Sequence, residues 1–113
     1  MRYIIFLIFP LLLTAGDKII TEHLSNTFKT YDNIYKYKEI KIIATPKKNG
    51  FISISGGHGM HCHVTIRKEN GKIIGTLKNI TDKLESEVNK KQKYFITIYA
   101  LNNFCKKIDI FVP

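Results

Sequence analysis

The chain has 113 residues, 44% hydrophobic and 24% charged, with two cysteines and a formal charge of +9. That length holds one small domain, and the composition excludes disordered, collagen-like and low-complexity proteins. Two cysteines exclude a disulfide-dense mini-protein and a four-cysteine zinc site, and no dinucleotide fingerprint, Walker loop or zinc-protease motif is present.

Met1-Arg2 gives a short positive start, Tyr3 to Leu13 is an unbroken apolar run, and Thr14-Ala15-Gly16 supplies small residues before charged Asp17. The run is shorter than the ~20 residues a membrane-spanning helix needs and has the three-part layout of an export signal. Pro10 inside it opposes a buried helix, since proline costs ~3 kcal/mol in a helix interior. The expectation is a cleaved signal peptide over 1–16, a secreted domain over 17–113 and no transmembrane segment. The domain is then extracellular, or periplasmic in a bacterial host. No cysteine follows the small residues, so a bacterial lipid anchor is not expected. Losing Arg2 from 18 basic residues leaves 17 against 9 acidic, so the secreted domain keeps a charge of +8.

An exported chain meets an oxidising environment, so Cys62 and Cys105 are expected to pair. Asn79-Ile80-Thr81 is an N-glycosylation acceptor if the host is eukaryotic, placing a glycan on Asn79.

Period-two alternation predicts strands through the rest of the chain. Glu39 to Thr45 alternates apart from Ile43, Pro46 to Gly50 makes a turn, and Phe51 to Ser55 returns. Met60 to Arg67 sets Cys62, Val64 and Ile66 against His61, His63, Thr65 and Arg67. Asn70-Gly71 then signals a two-residue hairpin into Lys72 to Leu77. Leu84 to Val88 reads as a short edge strand, Lys90 to Lys93 as a charged loop, Tyr94 to Ala100 as a strand by composition, and Lys107 to Val112 as the closing strand. Residues 17–37 show no clean pattern. Six or seven short strands with regular turns predict a single all-β, antiparallel β-sandwich. Cys105 is out of phase with Ile108, Ile110 and Val112, so its pairing needs either a bulge at Lys106-Lys107 or a position at the sheet end.

The segment Gly56-Gly57-His58-Gly59-Met60-His61-Cys62-His63 is the chemically suggestive one. On a strand, His61 and His63 face the same way, and with His58 from the glycine loop they would form an open zinc or copper site. The plainer readings are solvent-facing histidines or a pH-sensitive group. His58 to His63 resembles the His-Gly-Phe-His-Val-His stretch of copper–zinc superoxide dismutases over six residues. No histidine follows His63, so that family's remaining ligands are lacking and dismutase activity is not expected.

Catalysis has little else to rest on. Ser53 and Ser55 lie on a strand without a nucleophile turn, and Glu85 and Glu87 read as a solvated edge. A non-enzyme is expected, with no resident cofactor. The charge points instead to an anionic extracellular protein or glycan, with Lys90, Lys91 and Lys93 gathered in one loop. A second group sets Lys36, Lys38 and Lys41 among Tyr31, Tyr35 and Tyr37. Nucleic acid is not an expected partner for a secreted protein that keeps a single arginine.

The order of strands and turns from Phe51-Ile52-Ser53-Ile54-Ser55 through Asn70-Gly71-Lys72 to Tyr94-Phe95-Ile96-Thr97-Ile98 is similar to secreted bacterial pre-peptidase C-terminal sandwiches and to periplasmic inhibitors of goose-type lysozyme. An inhibitor of basic lysozymes should be acidic, and this chain is basic. The Gly56-Gly57-His58-Gly59 to His61-Cys62 segment also resembles small secreted nematode proteins of the uterine lumen. That resemblance implies a luminal reproductive factor acting on egg laying. The leading reading is therefore a secreted, non-enzymatic partner-binding protein, and the alternative is a secreted copper- or zinc-binding protein.

Overall fold

The computed structural model describes residues 16–56, 60–80 and 83–113. Among them the chain forms nine strands: β1 (Lys18–Leu24), β2 (Thr27–Asp32), β3 (Tyr37–Ala44), β4 (Gly50–Gly56), β5 (Met60–Lys68), β6 (Ile73–Ile80), β7 (Leu84–Val88), β8 (Tyr94–Ala100) and β9 (Lys107–Val112). A single 3-10 turn, Ile34–Lys36, separates β2 from β3. The strands make a five-stranded sheet in the order β1-β3-β8-β5-β6 and a four-stranded sheet in the order β2-β9-β4-β7. The predicted all-β sandwich is the fold observed.

The core follows from the alternation. Ile40, Ile42 and Ala44 of β3, Val64 and Ile66 of β5, and Tyr94, Ile96 and Ile98 of β8 face Ile52 and Ile54 of β4 and Ile108, Ile110 and Val112 of β9. β-branched side chains dominate this core, as a pleated and half-buried surface favours. Ile43, which broke the pattern in the sequence, points outward and lies opposite Phe95 of β8.

Two features depart from the expected sandwich. The first is the strand count, nine rather than six or seven, because residues 18–32 supply β1 and β2. The second is that β1 and β3 run parallel while the other pairs are antiparallel. The chain leaves β1 for the opposite sheet as β2 and returns beside β1 as β3, and that crossover makes the pair parallel.

Each side of the sandwich has its own closure. At the β1/β2 side, the Glu22 carboxylate accepts hydrogen bonds from Lys29 Nζ and Tyr31 OH, each at 2.6 Å. At the β6/β7 side the two sheets come close at Gly75, where an added Cβ would collide with Ser86 Oγ. Ser86 Oγ itself donates to the Ile74 carbonyl at 3.3 Å. Glycine serves here as a close-approach residue.

The Asn70-Gly71 hairpin forms with a different turn from the one predicted. Lys68 N–H bonds the Lys72 carbonyl and Gly71 N–H bonds the Lys68 carbonyl, so three residues, 69–71, make the loop. Gly71 takes φ +90° whereas Asn70 stays at negative φ. Asn70 contributes through its side chain instead, its Oδ1 accepting from Lys72 N–H. This is the three-residue hairpin with a glycine in the left-handed position.

Candidate functional site

Cys62 and Cys105 form a disulfide with Cα atoms 5.0 Å apart, and both are fully buried. The parity problem of Cys105 has a simple resolution. Cys105 precedes β9 and sits in the loop between β8 and β9, so no bulge is needed. Tyr35 N–H bonds the Cys105 carbonyl at 2.9 Å, and Ile34 N–H bonds that of Lys106 at 3.3 Å. The 3-10 turn and the cysteine loop are thereby tied together.

His61 and His63 project from the same half-buried outer face of β5, as the alternation predicted. Each ring has its own surroundings. His61 packs against Phe104, ring centroids 5.3 Å apart, with its Nδ1 3.2 Å from Asn102 Nδ2. His63 meets its cross-strand neighbour Tyr99 edge-on at 4.7 Å. His58 lies outside the described residues, and among the described residues no group of three histidine, cysteine or acidic side chains is placed to hold a metal. The Asn79 side chain and residues 1–15 also lie outside the described residues, so the glycan site and the leader stay proposals.

The carboxylates of β7 do not form a catalytic pair with a buried partner. Glu85 accepts from Ser53 Oγ at 3.0 Å and lies 3.8 Å from Lys83 Nζ, in an exposed setting. Among the described residues no helix is long and apolar enough to cross a membrane.

The lysine loop is where the fold adds most to the sequence. Tyr94 is buried, and its phenol oxygen accepts from Asn89 N–H at 2.8 Å, fixing the start of the loop. Lys90 N–H donates to Asn49 Oδ1 and Lys91 N–H to the Pro46 carbonyl, holding the loop against the β3–β4 turn. Lys91 adopts φ +70°, a left-handed conformation unusual for lysine. Because Lys68 is the register partner of Tyr94, the hairpin tip after β5 lies beside this loop. A cleft of about 370 Å³ opens between them, lined by Lys68, Glu69, Asn70, Lys91, Gln92 and Lys93. Lys47 and Lys48, on the β3–β4 turn, are exposed at the same end. Among the described residues, none of Lys47, Lys48, Lys90, Lys91 and Lys93 forms an ion pair.

The sequence found Lys90, Lys91 and Lys93 but missed Lys47, Lys48 and Lys68. Strand register brings Lys68 alongside, and the β3–β4 turn brings Lys47 and Lys48. The second predicted group assembles only in part. Tyr31 is buried and bonds the partly exposed Glu22, and Lys41 lies 3.7 Å from Glu39, while Lys36 and Lys38 stay exposed beside half-buried Tyr35 and Tyr37 at the opposite end of β3 from Lys47.

No family model matches the chain, and no curated protein matches it. Solved structures do resemble it. A pre-peptidase C-terminal domain of a collagenase from Bacillus anthracis superposes with a TM-score of 0.63 at 15% identity, covering 82% of this chain and 94% of that one. PliG of Aeromonas hydrophila, a periplasmic lysozyme inhibitor of g-type lysozyme, superposes with a TM-score of 0.55 at 10% identity, covering 85% of this chain and 98% of that one. The likeness is one of fold: both neighbours have the expected sandwich.

Proposed function

We propose that this is a secreted, non-enzymatic binding protein whose lysine-rich end engages an anionic extracellular protein or glycan. One observation carries the reading: Lys68, Lys91 and Lys93 line one cleft with a single carboxylate, Glu69, while Lys47, Lys48 and Lys90 are exposed on the adjoining turn and loop. Like charges held together raise the local potential and favour an anionic partner. The disulfide and the leader-like N-terminus support export. The two neighbours, one of them a periplasmic inhibitor, support a binding role outside the cytoplasm. The narrower reading, a luminal reproductive factor acting on egg laying, rests on the Gly56 to Cys62 resemblance alone and finds no support in these neighbours.

A sulfated glycan column tests the proposal. The secreted chain should be retained at low salt and released as salt rises, since exposed charges are screened over ~8 Å at physiological ionic strength. Replacing Lys90, Lys91 and Lys93 with glutamine should weaken retention, so that elution moves to lower salt, with thermal stability unchanged within about 0.5 kcal/mol. Elution at the same salt after the triple substitution overturns the assignment.

The alternative, a zinc or copper site on His58, His61 and His63, keeps one favourable observation, the shared outer face of His61 and His63. Calorimetry with zinc on the wild type and on His61→Ala/His63→Ala decides it. Tight binding lost in the double variant would promote the metalloprotein.

A further inference from the structure

At the end of the sandwich opposite the lysine cleft, the loop between β8 and β9 combines exposed apolar and cationic side chains. Leu101 is 44% and Phe104 67% exposed. Lys106 and Lys107 follow directly and are exposed, as are Lys36 and Lys38 on the segment that bonds the Cys105 and Lys106 carbonyls. Among the described residues, Asp32, the register partner of Lys107, and Asp17 are the exposed acidic residues nearby, leaving cations in excess there.

The loop is held rather than loose. Leu101 N–H bonds the His61 carbonyl at 2.9 Å, and Phe104 N–H bonds Asn102 Oδ1 at 2.8 Å. Cys105 N–H bonds the Asn102 carbonyl at 3.2 Å, and the disulfide anchors Cys105 to β5. Phe104 is therefore held at the surface by its own backbone, with one side of its ring against His61, immediately before a covalent anchor. An apolar side chain fixed in the open binds with little further loss of freedom.

We propose that this tip docks onto an anionic lipid bilayer, with Phe104 and Leu101 entering the headgroup boundary and the lysines remaining at headgroup level. Two apolar side chains cover far less than the ~1,200–2,000 Å² of a stable protein interface. Paired with a basic fringe, they match interfacial attachment, where apolar burial and attraction to acidic lipid act together. The surface is separate from the lysine cleft, so either assignment can fail without the other.

The chain contains no tryptophan, so Phe104→Trp gives a reporter that reads this position alone. Tests use the chain as secreted into the medium. Its emission should shift to the blue with phosphatidylcholine–phosphatidylserine vesicles and not with phosphatidylcholine alone. In sedimentation, Leu101→Ser/Phe104→Ser should lower vesicle affinity at least about tenfold. Lys36→Gln/Lys106→Gln/Lys107→Gln should do likewise, each lysine contributing about fivefold. The Lys90, Lys91 and Lys93 triple variant should bind vesicles as the wild type does. An unshifted emission, an equal shift with neutral vesicles, or vesicle binding indifferent to the loop substitutions overturns the proposal. So does a concentration-dependent blue shift without lipid, which would assign the tip to a second copy of the chain.

Discussion

Tyr31 on β2 donates its phenol hydrogen to the same Glu22 oxygen that accepts from Lys29, and so a carboxylate on one sheet is bonded to two residues on the other. Lys29 Nζ also lies 5.0 Å from the Tyr31 ring centre, which adds a cation–π contact. Glu22 and Lys29 occupy inward-facing positions at the rim, where each retains partial access to water.

The Lys29 and Tyr31 hydrogen bonds hold the Glu22 carboxyl below its ordinary value of 4.5. A depressed carboxylate contributes stability that is present above its unfolded pKa and is lost as pH falls through the folded one. Glu22→Gln should therefore lower the Tm near neutral pH, and the gap to wild type should close as pH falls below 4.5 and the carboxylate is protonated. Burial first, and then the bond to Glu22, raises the Tyr31 phenol above its ordinary 10.0. The Tyr31 contribution should accordingly be full below pH 10 and decline above it, and Tyr31→Phe should blunt that decline. Melting curves across pH measure both.

The disulfide spans 43 positions. Closing a loop of that length is worth about 4 kcal/mol in the chain-entropy model. Cys62→Ala/Cys105→Ala should lose roughly 3–4 kcal/mol in urea unfolding. Thiol titration of the unfolded, unreduced wild type should find no free thiol. Two titratable thiols would remove the pairing.

Gly75→Ala should destabilise by about 1–3 kcal/mol, because the new methyl must displace Ser86 Oγ and also meets Leu84 Cδ1 at 3.3 Å. Adding Ser86→Ala should recover part of that loss. Additive losses in the double variant would show that the two side chains do not contend for the same space.

Lys91 separates backbone from charge. Its left-handed conformation is free of strain only for glycine, so Lys91→Gly should raise stability by up to about 1 kcal/mol while weakening glycan retention. Lys91→Gln should weaken retention equally with no gain in Tm. A Tm that rises in both would place the effect in charge repulsion instead.

The central strands were legible because Ile40/Ile42, Ile52/Ile54 and Val64/Ile66 alternate, and β8 because its composition favours a strand; all four face one core. β1 and β2 were not, because Glu22 and Lys29 occupy inward positions and erase the alternation. They are stable there only through Tyr31 and each other, a relation visible once the sheets are stacked. The hairpin was placed correctly from Asn70-Gly71, but its loop length was not, since the closing bond lies between Lys68 and Lys72. The candidate site divides the same way. Lys90, Lys91 and Lys93 are neighbours in the chain and were found there. Lys47, Lys48 and Lys68 join them only through the β5–β8 register and the β3–β4 turn.

The position of β9 has a consequence for biosynthesis. It lies between β2 and β4 in the four-stranded sheet yet follows every other described strand. A ribosome working from the N-terminus delivers β2 and β4 with nothing to join them until residues 107–112 emerge. The second sheet is thus completed only after the other eight described strands have been translated. A chain crossing a secretory pore during synthesis would stay open, threadable and exposed to proteases until then, and would fold on the far side.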